Sequence, residues 1–98
     1  MNKISVPLAF EIAKLAAMGD AHSMSIGADV AYRAVIAAPT VELAIERFAV
    51  LAFIGALAGV VHAKHPNNRK VQDACQKCSS LYLGGEAHIR GKWGDILA

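Results

Sequence analysis

The chain has 98 residues, 55% hydrophobic and only 18% charged, with ten Lys and Arg against eight Asp and Glu for a net charge of +2. A chain of this size makes one domain with one core, and its low charge and high hydrophobicity exclude a disordered polymer. It leaves little room for a deep pocket with the supporting shell a catalytic centre needs.

Charge is unevenly spread. Residues 1–61 carry four basic and five acidic groups, and residues 62–98 carry six basic and three acidic. That is a mildly basic end rather than a nucleic-acid tail.

In chain order, the opening Met1 to Pro7 has no basic stretch followed by a sustained apolar run, so the expected location is the cytoplasm. Ser5 caps a first helix over 6–18, with Pro7 in its first turn and Leu8, Ile12 and Leu15 on one stripe; Gly19 stops it. Asp20, Ser23 and Ser25 are each able to cap, and Gly27 weakens a continuous helix. The second helix is therefore expected over 28–37, with a start at Ala21 as the alternative. Val30, Ala34 and Ala37 share one of its faces, with Ala31 and Val35 beside it.

Pro39 ends that helix and Thr40 caps a third over 41–63. In its first half Glu42, Glu46 and Arg47 are expected outward, and Val41, Ile45, Phe48 and Ala52 inward. Residues 48–61 then run fourteen positions without a charge or strong polar group. A helix apolar on every side must be surrounded by protein or lipid. A bilayer span needs about 20 apolar residues, so a buried core helix is favoured over membrane association. Gly55 and Gly59, flanked by Ala52 and Ala56, form a small face that lets another backbone come close. Three amphipathic partners do not cover such a helix, so a homodimer is expected, with cover by the tail (Trp93, Ile96 and Leu97) within one chain as the alternative.

Pro66-Asn67-Asn68 makes a turn, and Asn67 or Asn68 caps a fourth helix over 68–83. Val71, Ala74, Cys75, Cys78 and Tyr82 line one side, and Gly84-Gly85 ends it. The tail around Trp93 forms a strap or short helix. The sum is an all-α single domain over 1–98, a compact bundle of about four helices with short connections.

Chemistry is sparse. His62-x2-His65-x9-Cys75-x2-Cys78, with His88 as a spare, offers zinc-like ligand pairs. In an antiparallel hairpin, however, Cys75 falls level with Gly59 and Cys78 a turn further from the histidines. Small core cysteines and solvated histidines are therefore the preferred reading, and no metal or cofactor is expected. Arg69 and Lys70, next to Lys64 and His65, could meet phosphate or nucleic acid, but no groove-reading pattern accompanies them. No P-loop, nucleophile elbow or dinucleotide fingerprint appears, so no enzyme is expected.

The expected function is a non-catalytic protein that works through protein–protein contact, as adaptor, inhibitor or assembly subunit. Its size and simplicity are compatible with a small bacterial or phage accessory protein. Candidate partner-binding residues are Tyr32, Arg33, Arg69, Lys70 and Trp93, since Tyr, Trp and Arg are common interface anchors. Candidate self-association residues are Ala52, Gly55, Ala56 and Gly59. The alternatives are a zinc or nucleic-acid module centred on residues 62–78 and a membrane-associated helical protein.

Overall fold

A computed structural model of the chain describes residues 21–97. They form three helices, α1 (Ala21–Ile36), α2 (Val41–Lys64) and α3 (Arg69–Leu97), each packed on both others, with no strand among the described residues. The all-α expectation holds. The expected helix over 6–18 lies outside the described residues.

All three helices bury positions alternately three and four apart. On α1 these are Met24, Ala28, Ala31 and Val35; on α2, Ala44, Arg47, Leu51, Ile54 and Ala58. On α3 they are Cys75, Cys78, Gly85 and Ile89, with half-buried Tyr82 filling the gap. That spacing keeps one narrow seam facing the bundle axis over several turns. The seams are rich in alanine, cysteine and glycine, which lets the backbones approach closely.

The helix ends are closed by side chains. Thr40 caps α2, its hydroxyl accepting from the Leu43 amide at 3.3 Å, and Glu42 in the first turn suits the helix dipole. Asn68 caps α3 by accepting from the Val71 amide at 3.2 Å. The Gln72 amide nitrogen donates back to the His65 carbonyl at 2.9 Å and so fastens the end of α2 to the start of α3.

Four expectations are corrected. First, α1 runs through Gly27 from Ala21, the alternative start, not from 28. Ser25, one of three residues able to cap, is buried and satisfies its hydroxyl by donating to the His22 carbonyl at 2.8 Å. The face of α1 turns accordingly: Val30 is exposed, while Ala28 and Ala31 are in the core.

Second, α2 is rotated from its expected orientation. Arg47 is only 1% exposed, whereas Ile45 is 47% exposed. The guanidinium crosses to α1, where Arg47 Nη1 donates to the Ala34 carbonyl at 2.7 Å. The Arg33 carbonyl accepts from the Ala37 amide at 3.0 Å and that of Val35 from Ala38 at 3.2 Å. Arg47 thus satisfies the carbonyl between them, at the negative end of the α1 dipole.

Third, Gly84-Gly85 does not end a helix at 83. α3 continues to Leu97, and the pair marks its crossing over both neighbours. A Cβ on Gly84 would lie 3.2 Å from the Tyr32 ring, and one on Gly85 would lie 2.9 Å from Leu51 Cδ2. Fourth, of the strap and the short helix expected for the tail, the helix is found, continuous with α3. It bends at Trp93, whose φ of −127° and ψ of 21° are non-helical.

Candidate interaction surface

The side of α2 opposite its seam is apolar, and none of the described residues covers it. Ile45, Ala49, Phe53, Ala56, Val60 and Ala63 follow one another at three- or four-residue steps, all exposed. Phe53 is 50% and Val60 52% exposed, large fractions for side chains that gain from leaving water. At 24 residues α2 is about 36 Å long, and this stripe covers most of it. Glu42 stands at one end and Lys64 at the other, both exposed. By length and composition α2 could cross a bilayer, and only 28% of its most apolar stretch is buried.

Beside the stripe, the small residues open a trough between α2 and α3. Gly55, Gly59 and His62 face Gln72, Cys75 and Ser79 across a groove of about 390 Å³. A second depression of about 300 Å³ shares Gly55 and Ser79 and adds Ala52, Ala56 and Tyr82. The four small residues named from the sequence therefore divide. Gly55 is half-buried against the Tyr82 ring of its own chain, where a Cβ would sit at 3.7 Å, and Ala52 is half-buried. Ala56 and Gly59 are exposed, with open space beside Gly59.

The other candidates are scattered over the surface. Tyr32 is half-buried against Gly84, and Arg33 is exposed and paired with Asp29 at 3.0 Å on its own helix. Arg69 and Lys70 are exposed beside the 65–68 turn and line a shallow depression with it. Trp93 is half-buried at the bend, edge-on to His88 with centroids 6.1 Å apart and with Lys92 Nζ 4.8 Å over its ring. His88 Nε2 is buried without a hydrogen-bond partner.

The zinc-like set is not gathered. His62 and His65 are exposed, whereas Cys75 and Cys78 turn into the core as free thiols. Only His62 and Cys75 share a groove, and no group of three or more His, Cys, Asp or Glu able to hold a metal occurs among the described residues. Burial pushes the Cys75 thiol up, and burial beside Cys75 pushes Cys78 up to about 11. Both are protonated at neutral pH, the opposite of an activated redox cysteine.

The sequence shows the apolar excess but hides which residues carry it. The signal was present: the steps 44–47–51–54–58 define a seam, which places 45, 49, 53, 56 and 60 on the far side. The charge on Arg47 masked it. No known protein family, characterised protein or solved structure matches the chain.

Proposed function

We propose that this chain is a non-catalytic, self-associating helical interaction module, an adaptor, inhibitor or assembly subunit that acts by presenting the outer face of α2 to another protein chain. The observation that carries this reading is the uncovered stripe from Ile45 to Val60, lying on a helix whose other side is already committed to the core. A contiguous apolar patch on a small domain is costly to leave wet and marks a surface meant to be covered. Phe53 at its centre is the anchor.

A lipid surface is the second reading, favoured by the length and exposure of α2. Spanning a bilayer is the less favourable form of it. α3 packs along α2 and carries Lys70, Asp73, Lys77 and Arg90, all exposed. Those charges would follow α2 into the hydrocarbon at a cost of several kcal/mol, about 2.5–3.5 each at the bilayer centre.

Site-specific photocrosslinking in the cells of origin tests the reading, with the photoreactive side chain at position 53 and, as control, at position 80 on the polar outer side of α3. Protein adducts from 53 and none from 80 are expected. Adducts to lipid alone, or equal labelling from both positions, would remove the interaction surface.

A further inference from the structure

We infer that the occupant of this face is a second copy of the same chain, with the two α2 helices packed antiparallel about a two-fold axis passing between residues 54 and 55. The inference rests on the interaction reading above and names its partner.

Two independent features of the stripe select this pairing. The first is its relief. Large and small side chains alternate along it: Ile45, Ala49, Phe53, Ala56, Val60, Ala63. Antiparallel pairing about that axis sets Phe53 against Ala56 of the second copy and Val60 against Ala49. Phe53 and Val60 then each meet a recess, as close packing requires, and Ile45 falls level with Lys64, next to Ala63. Parallel pairing in register would set Phe53 on Phe53 and Ala56 on Ala56, a clash beside a void.

The second feature is charge. Glu42 lies at one end of the stripe and Lys64 at the other, both exposed, with no charge between 48 and 61. Antiparallel helices bring the Glu42 end of each copy to the Lys64 end of the other, and the two helix dipoles run opposed. Parallel helices would place Glu42 beside Glu42 and Lys64 beside Lys64. Such rim charges contribute little to affinity but set orientation. The interface is isologous, so it closes on itself as a dimer and does not propagate.

The trough between α2 and α3 is a separate feature. Gly55 belongs to the contact with Tyr82 of α3, and of the residues bordering the two depressions the proposed pairing uses only Ala56.

Sedimentation equilibrium without detergent, across protein concentrations up to about 1 mM, where even a weak dimer is populated, gives the first test. A species of twice the 10.3 kDa chain mass is expected. Phe53→Glu should raise its dissociation constant at least ~10-fold, with helicity by circular dichroism unchanged because Phe53 is outside the core. Orientation is read by mixing Ala49→Cys protein with Val60→Cys protein under mild oxidation. Antiparallel helices give a disulfide only in the mixture, because like positions lie about 16 Å apart along the axis. The native cysteines are buried.

A dimer indifferent to Phe53→Glu, or one crosslinking 49 to 49, would overturn the proposal. So would a chain that stays monomeric throughout. The broader reading is judged separately: a monomer whose position-53 photocrosslinks reach a different protein keeps the interaction surface and loses the self-pairing. A monomer that sediments with phosphatidylcholine vesicles, and fails to do so as Phe53→Glu, loses both.

Discussion

Arg47 shows how far a single side chain can depart from its charge. Its sequence neighbours are Glu46 and Phe48, and a basic residue there reads as solvated. Yet position 47 falls on the 44–51–54–58 seam, and the side chain is long enough to cross the bundle and reach the end of α1. The guanidinium makes one hydrogen bond, to a carbonyl at 2.7 Å, and Arg47 Nε is buried with no partner. A buried charge so thinly compensated carries a desolvation cost its contacts do not fully offset. Two substitutions separate the effects. Arg47→Ala removes packing and orphans the Ala34 carbonyl, and should cost about 3 kcal/mol in urea unfolding. Arg47→Met keeps most of the volume and discards the charge, and should fall within about 1 kcal/mol of the parent. A methionine variant as damaged as the alanine one would show that the hydrogen bond dominates.

Cys78 gives a second residue-scale prediction, with a definite sign. Burial favours its neutral thiol in the folded chain, so the folded pKa of about 11 lies above the ordinary 9.0. Between those values the unfolded chain has released its proton and the folded chain has kept it. Stability is therefore fully present below pH 9 and falls as pH rises toward 11. The loss attributable to Cys78 should be on the order of 1–2 kcal/mol. Cys78→Ala lowers stability at every pH through the small cavity it leaves. It should nonetheless lose less than the parent between about pH 8 and about pH 10.5. Parallel losses in both proteins would place the pH sensitivity elsewhere.

At the scale of the element, the starts of α2 and α3 and the stops of α1 and α2 were readable to within a residue, and the start of α1 and the stop of α3 were not. Thr40 and Asn68 cap α2 and α3 as their residue types and positions imply, because an N-cap is a local bargain between one side chain and one amide two or three residues on. Gly84-Gly85 misled because glycine has two uses. It ends helices when its backbone must turn left-handed, and it lets helices touch when its missing Cβ is what matters. Only the neighbours distinguish these uses, and they come from α1 and α2, far away in sequence. The two uses predict opposite responses to alanine. In open space, as at Gly91, alanine should stabilise α3 by up to about 1 kcal/mol through helix propensity. At Gly85 the added methyl meets Leu51 at 2.9 Å in a fully buried site, with Phe48 at 3.4 Å beside it. Overpacking of about 1–3 kcal/mol should exceed the propensity gain and leave Gly85→Ala destabilised. Thermal melts of the two variants, shifted up for Gly91→Ala and down for Gly85→Ala, check the crossing.

At the scale of the molecule, composition was the more reliable guide. A 55% hydrophobic chain of 98 residues has more apolar surface than one small core can hide; part of the excess lines up on α2 as a stripe, and the rest is scattered, as Ile26, Val30 and Ile36 on α1 and Leu83 and Ile96 on α3. Where the excess lies could not be read from residues 48–61 alone, since a run apolar on every side has no face of its own. Packing against α1 and α3 supplies the face, by claiming one side and leaving the other.

That division also makes a thermodynamic prediction independent of any measured mass. If the exposed stripe is closed by a second copy in the folded state, association is linked to folding, and the melting temperature must rise with protein concentration. Each tenfold increase, well above the dissociation constant, should add up to about 0.7 kcal/mol of apparent stability per chain, half the 1.4 kcal/mol that a full decade of a bound ligand contributes. Phe53→Glu moves the dependence to at least ~10-fold higher concentration by removing the anchor. At low concentration, where both proteins are single chains, its melting temperature should match the parent within a few degrees, because a half-exposed side chain contributes little to the monomer core. A parent whose melting temperature is flat with concentration, or a variant unstable even when dilute, would mean that Phe53 serves its own chain and not a neighbour.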